Sequence, residues 1–276
     1  MEEEMTISIL GCGWIGLPLG AYLSSKGIKV KGSVTRTHKL KNLNENDIEP
    51  FLLKLSPKPE GDSLAHFLDT DVLIVDIPPS RAKFGGVSFY PEQMKVLTAA
   101  LASSPCKKVI FVSSTSVYSN PSRVVTEEEP LAPVERNKPL IDAENHWLAQ
   151  TDLRVTVLRA GGLMGYDRYP AKYFAGKKDL TKGHVPVNYI HRDDVIGIIE
   201  QVLEQEKWGE IYNLVAPEHP FREDVYVKNC IDLGMELPTF NKKNSVGYKI
   251  VSGKKVVKDL GYEFQYPDPL YFLYFN

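Results

Sequence analysis

Hydrophobic and polar positions along this chain alternate between two rhythms. Short, nearly continuous apolar runs recur, and between them apolar residues space out at helical intervals. The first run, Ile7–Leu10, reads as a buried strand. Leu17, Ala21, Tyr22 and Leu23 then read as a helix that Gly27 stops. Ile28–Val34 predicts a second strand, and Ile48–Leu55 a third before a Pro/Gly-rich turn over Ser56–Gly61. Asp71–Ile77 (DVLIVDI) is apolar almost throughout, as in a strand covered on both faces. Pro91 near its start and Met94, Val96, Leu97, Ala100 and Leu101 mark a helix over Pro91–Ala102. Lys108–Val112, Leu153–Arg159 and Gly209–Val215 read as strands; Pro139–Gln150, Asp193–Glu206, Arg222–Leu233 and Ser252–Leu260 read as helices.

Strands alternating with helices imply a parallel sheet with helices on both faces, an α/β doubly wound fold. The pattern weakens in places. Arg81–Tyr90 is polar with glycines and reads as a mobile loop; Asn120–Lys138 is polar, with Glu127–Glu129 as a solvated stretch. Tyr166–Val187 has no clean period, and Tyr262–Asn276 carries aromatics that would cover either the protein itself or a partner. The expected organisation is a main domain over residues 1–165, continued by 188–215. Residues 166–187 and 216–276 then form a small C-terminal lobe. No internal repeat is evident.

The first strand runs directly into G-x-G-x-x-G at Gly11, Gly13 and Gly16, with Cys12, Trp14 and Ile15 between them. Strand, glycines and helix together form a phosphate-binding context: Gly11 for the tight turn, Gly13 for close approach of a pyrophosphate, Gly16 for helix–strand packing. The helix N-terminus adds N–H groups and a positive dipole end. An acidic residue about 20 positions further would bond a ribose hydroxyl, but no Asp or Glu occurs between Gly16 and Glu45. Thr35, Arg36 and Lys39 stand there instead, suited to a ribose 2′-phosphate. This favours NADP over NAD. Pro78 and Pro79, Ser113 with its neighbours through Tyr118, and Arg159–Gly162 also follow strand carboxyl ends, so four loops point to one crevice.

Composition narrows the picture. The chain has 276 residues, 43% hydrophobic and 25% charged, with net charge −2, which gives no polyanion-binding field and argues against nucleic acid. Cys12, Cys106 and Cys230 form no C-x-x-C pair, so free thiols are expected and no zinc site. Cys12 reads as a small residue filling a turn. His191 with Asp193 and Asp194 reads as a strand-to-helix turn, one of the aspartates capping the helix, and no metal is implied. The acidic start and the lack of a spanning apolar run predict a cytoplasmic protein without membrane segments.

At Ser113-Ser114-Thr115-Ser116-Val117-Tyr118 the chain comes to resemble the atypical extended short-chain dehydrogenase/reductases, of the nucleoside-diphosphate-sugar epimerase type. Five ordered features carry the resemblance: the glycine loop, this strand end, Leu158-Arg159 with its glycines, Val187–Asp194, and Ile211-Tyr212-Asn213. It implies a Rossmann domain with a C-terminal substrate lobe, a nicotinamide cofactor, and a small-molecule substrate such as a nucleotide sugar, in a possible homodimer. It also implies a Tyr-x-x-x-Lys acid/base pair and a Ser or Thr that orients the substrate oxygen. Ser114 matches the latter. The pair does not match: Glu144 fits the acidic residue four after the lysine, which puts Arg136 and Leu140 at the tyrosine and lysine positions. Tyr22/Lys26 and Tyr173/Lys177 are chance-level occurrences in the wrong places. Arg136 and Arg159 are candidate substrate ligands, since a guanidinium holds phosphate or carboxylate bidentately. Tyr118 reads as packing beneath the nicotinamide. Two readings stay open: an NADP-dependent oxidoreductase or epimerase with an altered acid/base set, and a non-catalytic NADP(H)-binding sensor.

Overall fold

The computed structural model describes residues 5–56, 58–79, 89–241 and 247–274. The chain divides into two compact units. The first comprises Met1–Ser113, Pro133–Leu158 and Lys207–Ile211; the second comprises Ser114–Ala132, Arg159–Glu206 and Tyr212–Asn276.

The first unit is built from β1 (Thr6–Leu10), α1 (Gly16–Ser25), β2 (Lys29–Val34), α2 (Leu40–Asn44), β3 (Glu49–Ser56), β4 (Lys58–Gly61), α3 (Leu64–Phe67) and β5 (Val72–Val75). Then follow α4 (Tyr90–Leu101), β6 (Lys108–Ser114), and, after the short β7 (Val124–Val125) of the second unit, α5 (Lys138–Leu148) and β8 (Arg154–Ala160). β1 pairs in parallel with β2 and β5, β2 with β3, and β5 with β6, while β4 runs antiparallel to β3. With β11 (Ile211–Leu214) the eight-stranded sheet has the order β11-β8-β6-β5-β1-β2-β3-β4. The chain thus winds outward from β1 to β3 and returns to β5 on the other side of β1. That reversal is the topological switch of a doubly wound sheet. Ile7, Ile9, Leu73, Ile74 and Val75 are fully buried, which is why these runs read as continuously apolar. α4 and α5 pack through Met94 and Trp147, whose indole N–H meets the Met94 sulfur at 3.1 Å. Lys31 is buried, yet its ammonium donates to the carbonyls of His66 and Asp69 at 2.8 and 2.7 Å. An ionised group survives there only because it is so bonded.

The strands and helices expected from the sequence are found in place, with ends that coincide or differ by at most two residues, but the stretch expected as a turn over Ser56–Gly61 is largely strand β4, which pairs back on β3. The Arg81–Tyr90 loop falls largely outside the described residues, and Tyr90 itself opens α4.

The second unit contains the paired two-residue strands β7 and β12 (Ile250–Val251), and the parallel pair β9 (Gly162–Met164) and β10 (Tyr189–His191). Its helices are α6 (Ala171–Phe174), α7 (Arg192–Glu204), α8 (Arg222–Asp232) and α9 (Lys254–Leu260). Glu127 is no simple solvated residue: its carboxylate accepts the Asn213 N–H at 2.8 Å. The α7 cap is also not an aspartate. His191 fills that position, its Nδ1 accepting the Asp193 N–H at 3.3 Å, because β10 ends there and α7 starts one residue later. Asp194 is fully buried and accepts from the Tyr262 hydroxyl and from the N–H groups of Gln265 and Tyr266. The C-terminal aromatics therefore cover this unit itself, with Tyr266 lying 3.8 Å from the His191 ring. No helix among the described residues is long and apolar enough to cross a membrane.

Burial lowers the pKa of His146, His191 and His219 below the ordinary histidine value of 6.5. The fold therefore favours their neutral forms more than the unfolded chain does, so the stability they allow is present above pH 6.5 and is lost as pH falls through their folded pKa values. Thermal unfolding followed from pH 7.5 to 5 should show a falling midpoint, and His191→Gln should flatten part of that fall. A midpoint independent of pH over that window would contradict this account.

Candidate functional site

The carboxyl ends of β1, β2, β3 and β5 surround a cavity of about 430 Å³. It belongs wholly to the first unit, and its floor is the glycine turn. Gly11 has φ +107°, and a Cβ there would stand 2.6 Å from the Asp76 carbonyl oxygen. A Cβ on Gly16 would stand 2.3 Å from the Gly11 carbonyl oxygen. Neither position admits a side chain. Gly13 differs: a Cβ there meets nothing within 4 Å. Gly13 is exposed and belongs to the cavity lining, as a backbone approached by a ligand requires. Ile15 stands at the cap position of α1 and supplies no capping side chain, while the Leu17 N–H in the first turn reaches the Gly13 carbonyl at 3.2 Å.

Ser33, at the end of β2, fastens the turn. Its hydroxyl accepts the Gly11 N–H at 3.0 Å and its carbonyl accepts the Cys12 N–H at 2.8 Å. Cys12 is buried, and burial, reinforced by Asp76, pushes its thiol up to about 12. Burial likewise pushes Cys106 up to about 11 and raises Cys230. None is a thiolate near neutral pH, and the reading of Cys12 as a turn-filling residue agrees with this. The three cysteines are free. Among the described residues no cluster could hold a metal ion.

Of the sequence candidates, Gly11, Gly13, Thr35, Lys39 and Pro78 line the cavity together. Trp14, Ile15 and Gly16 continue the turn into α1 and lie outside the lining, as does Pro79 beside Pro78. Arg36 sits on the exposed turn between Thr35 and Lys39, also outside the lining. Ser113 is buried at the end of β6 and donates to the carboxylate of Glu144 at 2.7 Å. The cavity also takes in Lys54 and Ser56 of β3, Asp76, Phe89 and Gln93, none of which the sequence singled out. Tyr90, outside the lining, donates to the carbonyl of Ile77, which lines the cavity, at 2.8 Å.

Arg136 is exposed on the turn before α5, and Leu140, in the first turn of that helix, is buried. Neither offers a titratable proton near neutral pH. In the second unit, Ser114 spends its hydroxyl accepting the Ser116 N–H at 3.1 Å. Arg159 is 3% exposed and donates to the Tyr118 hydroxyl at 2.7 Å and to the Glu127 carbonyl. The Tyr118 hydroxyl in turn donates to Asn213 at 2.8 Å. Burial raises the Tyr118 pKa despite the nearby Arg159. Arg159 and Tyr118 thus form a buried internal network. Tyr166 has φ +52°, unusual for a tyrosine, donates to Asp193 and carries the Arg192 guanidinium 4.1 Å from its ring centre.

No protein-family model matches the chain. Protein YeeZ of Escherichia coli (strain K12) is 36% identical over 268 residues, covering 96% of this chain and 97% of the relative. The chain belongs to the YeeZ family. Solved structures resemble this YeeZ-family chain over its whole length. A functionally unknown conserved protein from Silicibacter pomeroyi superposes with a TM-score of 0.78 at 22% identity, covering 96% of this chain and 95% of that one. UDP-glucuronic acid 4-epimerase from Bacillus cereus, in complex with UDP-glucuronic acid and NAD, gives 0.77 at 19%, covering 95% and 94%. A short-chain dehydrogenase/reductase superfamily protein from Agrobacterium tumefaciens with bound NAD gives 0.73 at 16%, covering 94% and 92%. The fold is that of the short-chain dehydrogenase/reductases, as the resemblance implied.

The burial of all three thiols gives a direct check. A thiol reagent at pH 8 should label no cysteine of the native protein within minutes, and all three after denaturation. Rapid labelling of Cys12 in the folded protein would show that the glycine turn is more open than described.

Proposed function

We propose that this YeeZ-family protein binds NADP(H) and acts as an oxidoreductase or epimerase on a sugar nucleotide or a similar carbonyl compound, with an altered acid/base set. The observation that carries the reading is the cavity over Gly13: it lies at the switch point and is open where a pyrophosphate would approach. The chain's residues fit such a cofactor. Gly11, Gly13 and the start of α1 would hold the pyrophosphate, and Thr35 and Lys39, with Arg36 beside them, would receive the adenosine ribose. When bound, the nicotinamide supplies hydride transfer. Lys39 in the lining supports NADP, since it brings a cation where NAD-binding folds place a carboxylate. The NAD and UDP-sugars in related solved structures support the general class of ligand. Residues 166–187 and 216–276 serve in this reading as the substrate lobe, and the protein works in the cytoplasm.

A second reading is a sensor that binds NADP(H) without turnover. It is favoured by Leu140, which is buried in α5 where the family's lysine would stand, and by the exposed Arg136 at the tyrosine position. Positioned acid–base catalysis contributes about 10²–10⁴-fold. The enzyme reading with an altered set therefore expects slow oxidation of NADPH on common keto-sugars, and the sensor reading expects none above background. Turnover that survives Ser114→Ala and Arg136→Ala unchanged would move the chemistry away from both positions.

Cofactor binding is tested more directly by Gly13→Val. The fold has room for the side chain, yet in this reading it would intrude where the pyrophosphate approaches the turn. NADP affinity should drop at least about tenfold, or about 1.4 kcal/mol, with the thermal midpoint unchanged. Equal NADP titrations in the folded variant and the wild type would remove the dinucleotide reading.

A further inference from the structure

β2 and β3 do not end together. Val34, the last residue of β2, pairs with Leu52, yet β3 continues to Ser56. The four extra residues are held from the other side by β4, with Leu53 opposite Gly61, Lys54 opposite Glu60, Leu55 opposite Pro59 and Ser56 opposite Lys58. On the side that β2 has vacated lies the cavity, and Leu53, Lys54, Leu55 and Ser56 all line it. Gln93 of α4 braces this wall, its amide donating to the Leu55 carbonyl at 2.6 Å. Lys54 is therefore presented on a braced two-stranded ribbon and not on a loop, which makes its position well defined.

The charges around the cavity are sorted by position. Lys39 follows β2 and Lys54 stands on β3, both in the lining. The acidic residue of the lining, Asp76, follows β5. In the order β5-β1-β2-β3 that is three strand spacings from β3, about 14 Å. Among the described residues Lys54 pairs with Glu60 at 3.4 Å, and both side chains are more than half exposed. Such a pair is weak, and an incoming dianion competes with it readily. The glycine turn that would seat the pyrophosphate follows β1, two spacings or about 10 Å from β3. Lys54 thus stands nearer the ribose position at the end of β2 than the turn that would seat the pyrophosphate.

We infer that Lys54, together with Lys39, is a specificity-determining residue for a phosphate monoester on the adenosine ribose of the dinucleotide. The inference rests on the dinucleotide reading above. It adds a determinant on the third strand, outside the glycine turn and outside the Thr35–Lys39 turn. An ammonium acts there as a point charge on the phosphate, so arginine can replace it, whereas a neutral side chain cannot.

The test titrates NADP, NAD and adenosine 2′,5′-bisphosphate against the wild type, Lys54→Met and Lys54→Arg at one fixed salt concentration. Lys54→Met should weaken NADP and the bisphosphate by about 5–20-fold, the range of a partly exposed charge-assisted contact. It should leave NAD within about twofold. Lys54→Arg should keep most of the preference. A wild type that prefers NADP, with the whole preference kept in Lys54→Met, overturns the role of Lys54 and leaves the dinucleotide reading standing. A wild type that binds neither dinucleotide overturns the underlying reading. A wild type that binds NADP and NAD equally overturns the phosphate site itself.

Discussion

The organisation of the first unit depends on one close contact. The Gly11 carbonyl oxygen lies so near the Cα of Gly16 that a Cβ there would be 2.3 Å away. Helix α1 is seated directly on the turn that leaves β1, with no side chain between. The same turn leans on β5 through the Asp76 carbonyl and is tied to β2 by two hydrogen bonds to Ser33. Four elements are fixed to one another within a few residues. With the turn held so tightly, the opening above Gly13 keeps its shape whether or not anything fills it. A larger residue at position 11 or 16 would separate helix from strand before it touched a ligand.

Much of this was legible in the sequence because the physical demands are local. A buried parallel strand needs a continuous apolar run, and Val72–Val75 supplies one. A strand-to-helix turn that cannot hold side chains needs glycine at fixed intervals. The parts that were not legible depend on pairing at a distance. Lys54 and Ser56 reach the cavity only because β3 outruns β2, and that length is set by β4. Gln93 reads as one more polar residue of a helix until α4 is packed against the sheet. Two- and three-residue ladders such as β7–β12 and β9–β10 are too short to show a period. The aspartates at 193 and 194 look like caps, yet the cap is set by where β10 stops, and that is His191.

Arg159 and Leu140 show how strand-end chemistry can be absorbed by packing. An arginine at the carboxyl end of a strand reads as a ligand for an anion, but this one is committed to Tyr118 and a backbone carbonyl. Its removal would leave buried polar groups unpaired, at about 1–3 kcal/mol each. Leu140 lies on the buried side of α5 beside Ile141 and Ala143. A lysine there would have to bring its charge into that packing, so the acid/base pair of the wider fold cannot be regained by exchanging two side chains alone. Leu140 and Ile141 make the inner side of the first turn of α5 part of the hydrophobic interior.

The ribbon that carries Lys54 has a second effect, on assembly. A parallel sheet that ended on β3 would present a row of unsatisfied amide and carbonyl groups, an invitation to strands of other molecules. Here the sheet ends on β4, four residues long with the sequence Lys-Pro-Glu-Gly and exposed throughout. Its proline has no N–H to offer, and its two charges would have to be desolvated by any strand laid alongside. The border of the sheet next to the cavity is thereby closed to recruitment, and copies of this chain that associate do not do so by adding a strand at β4.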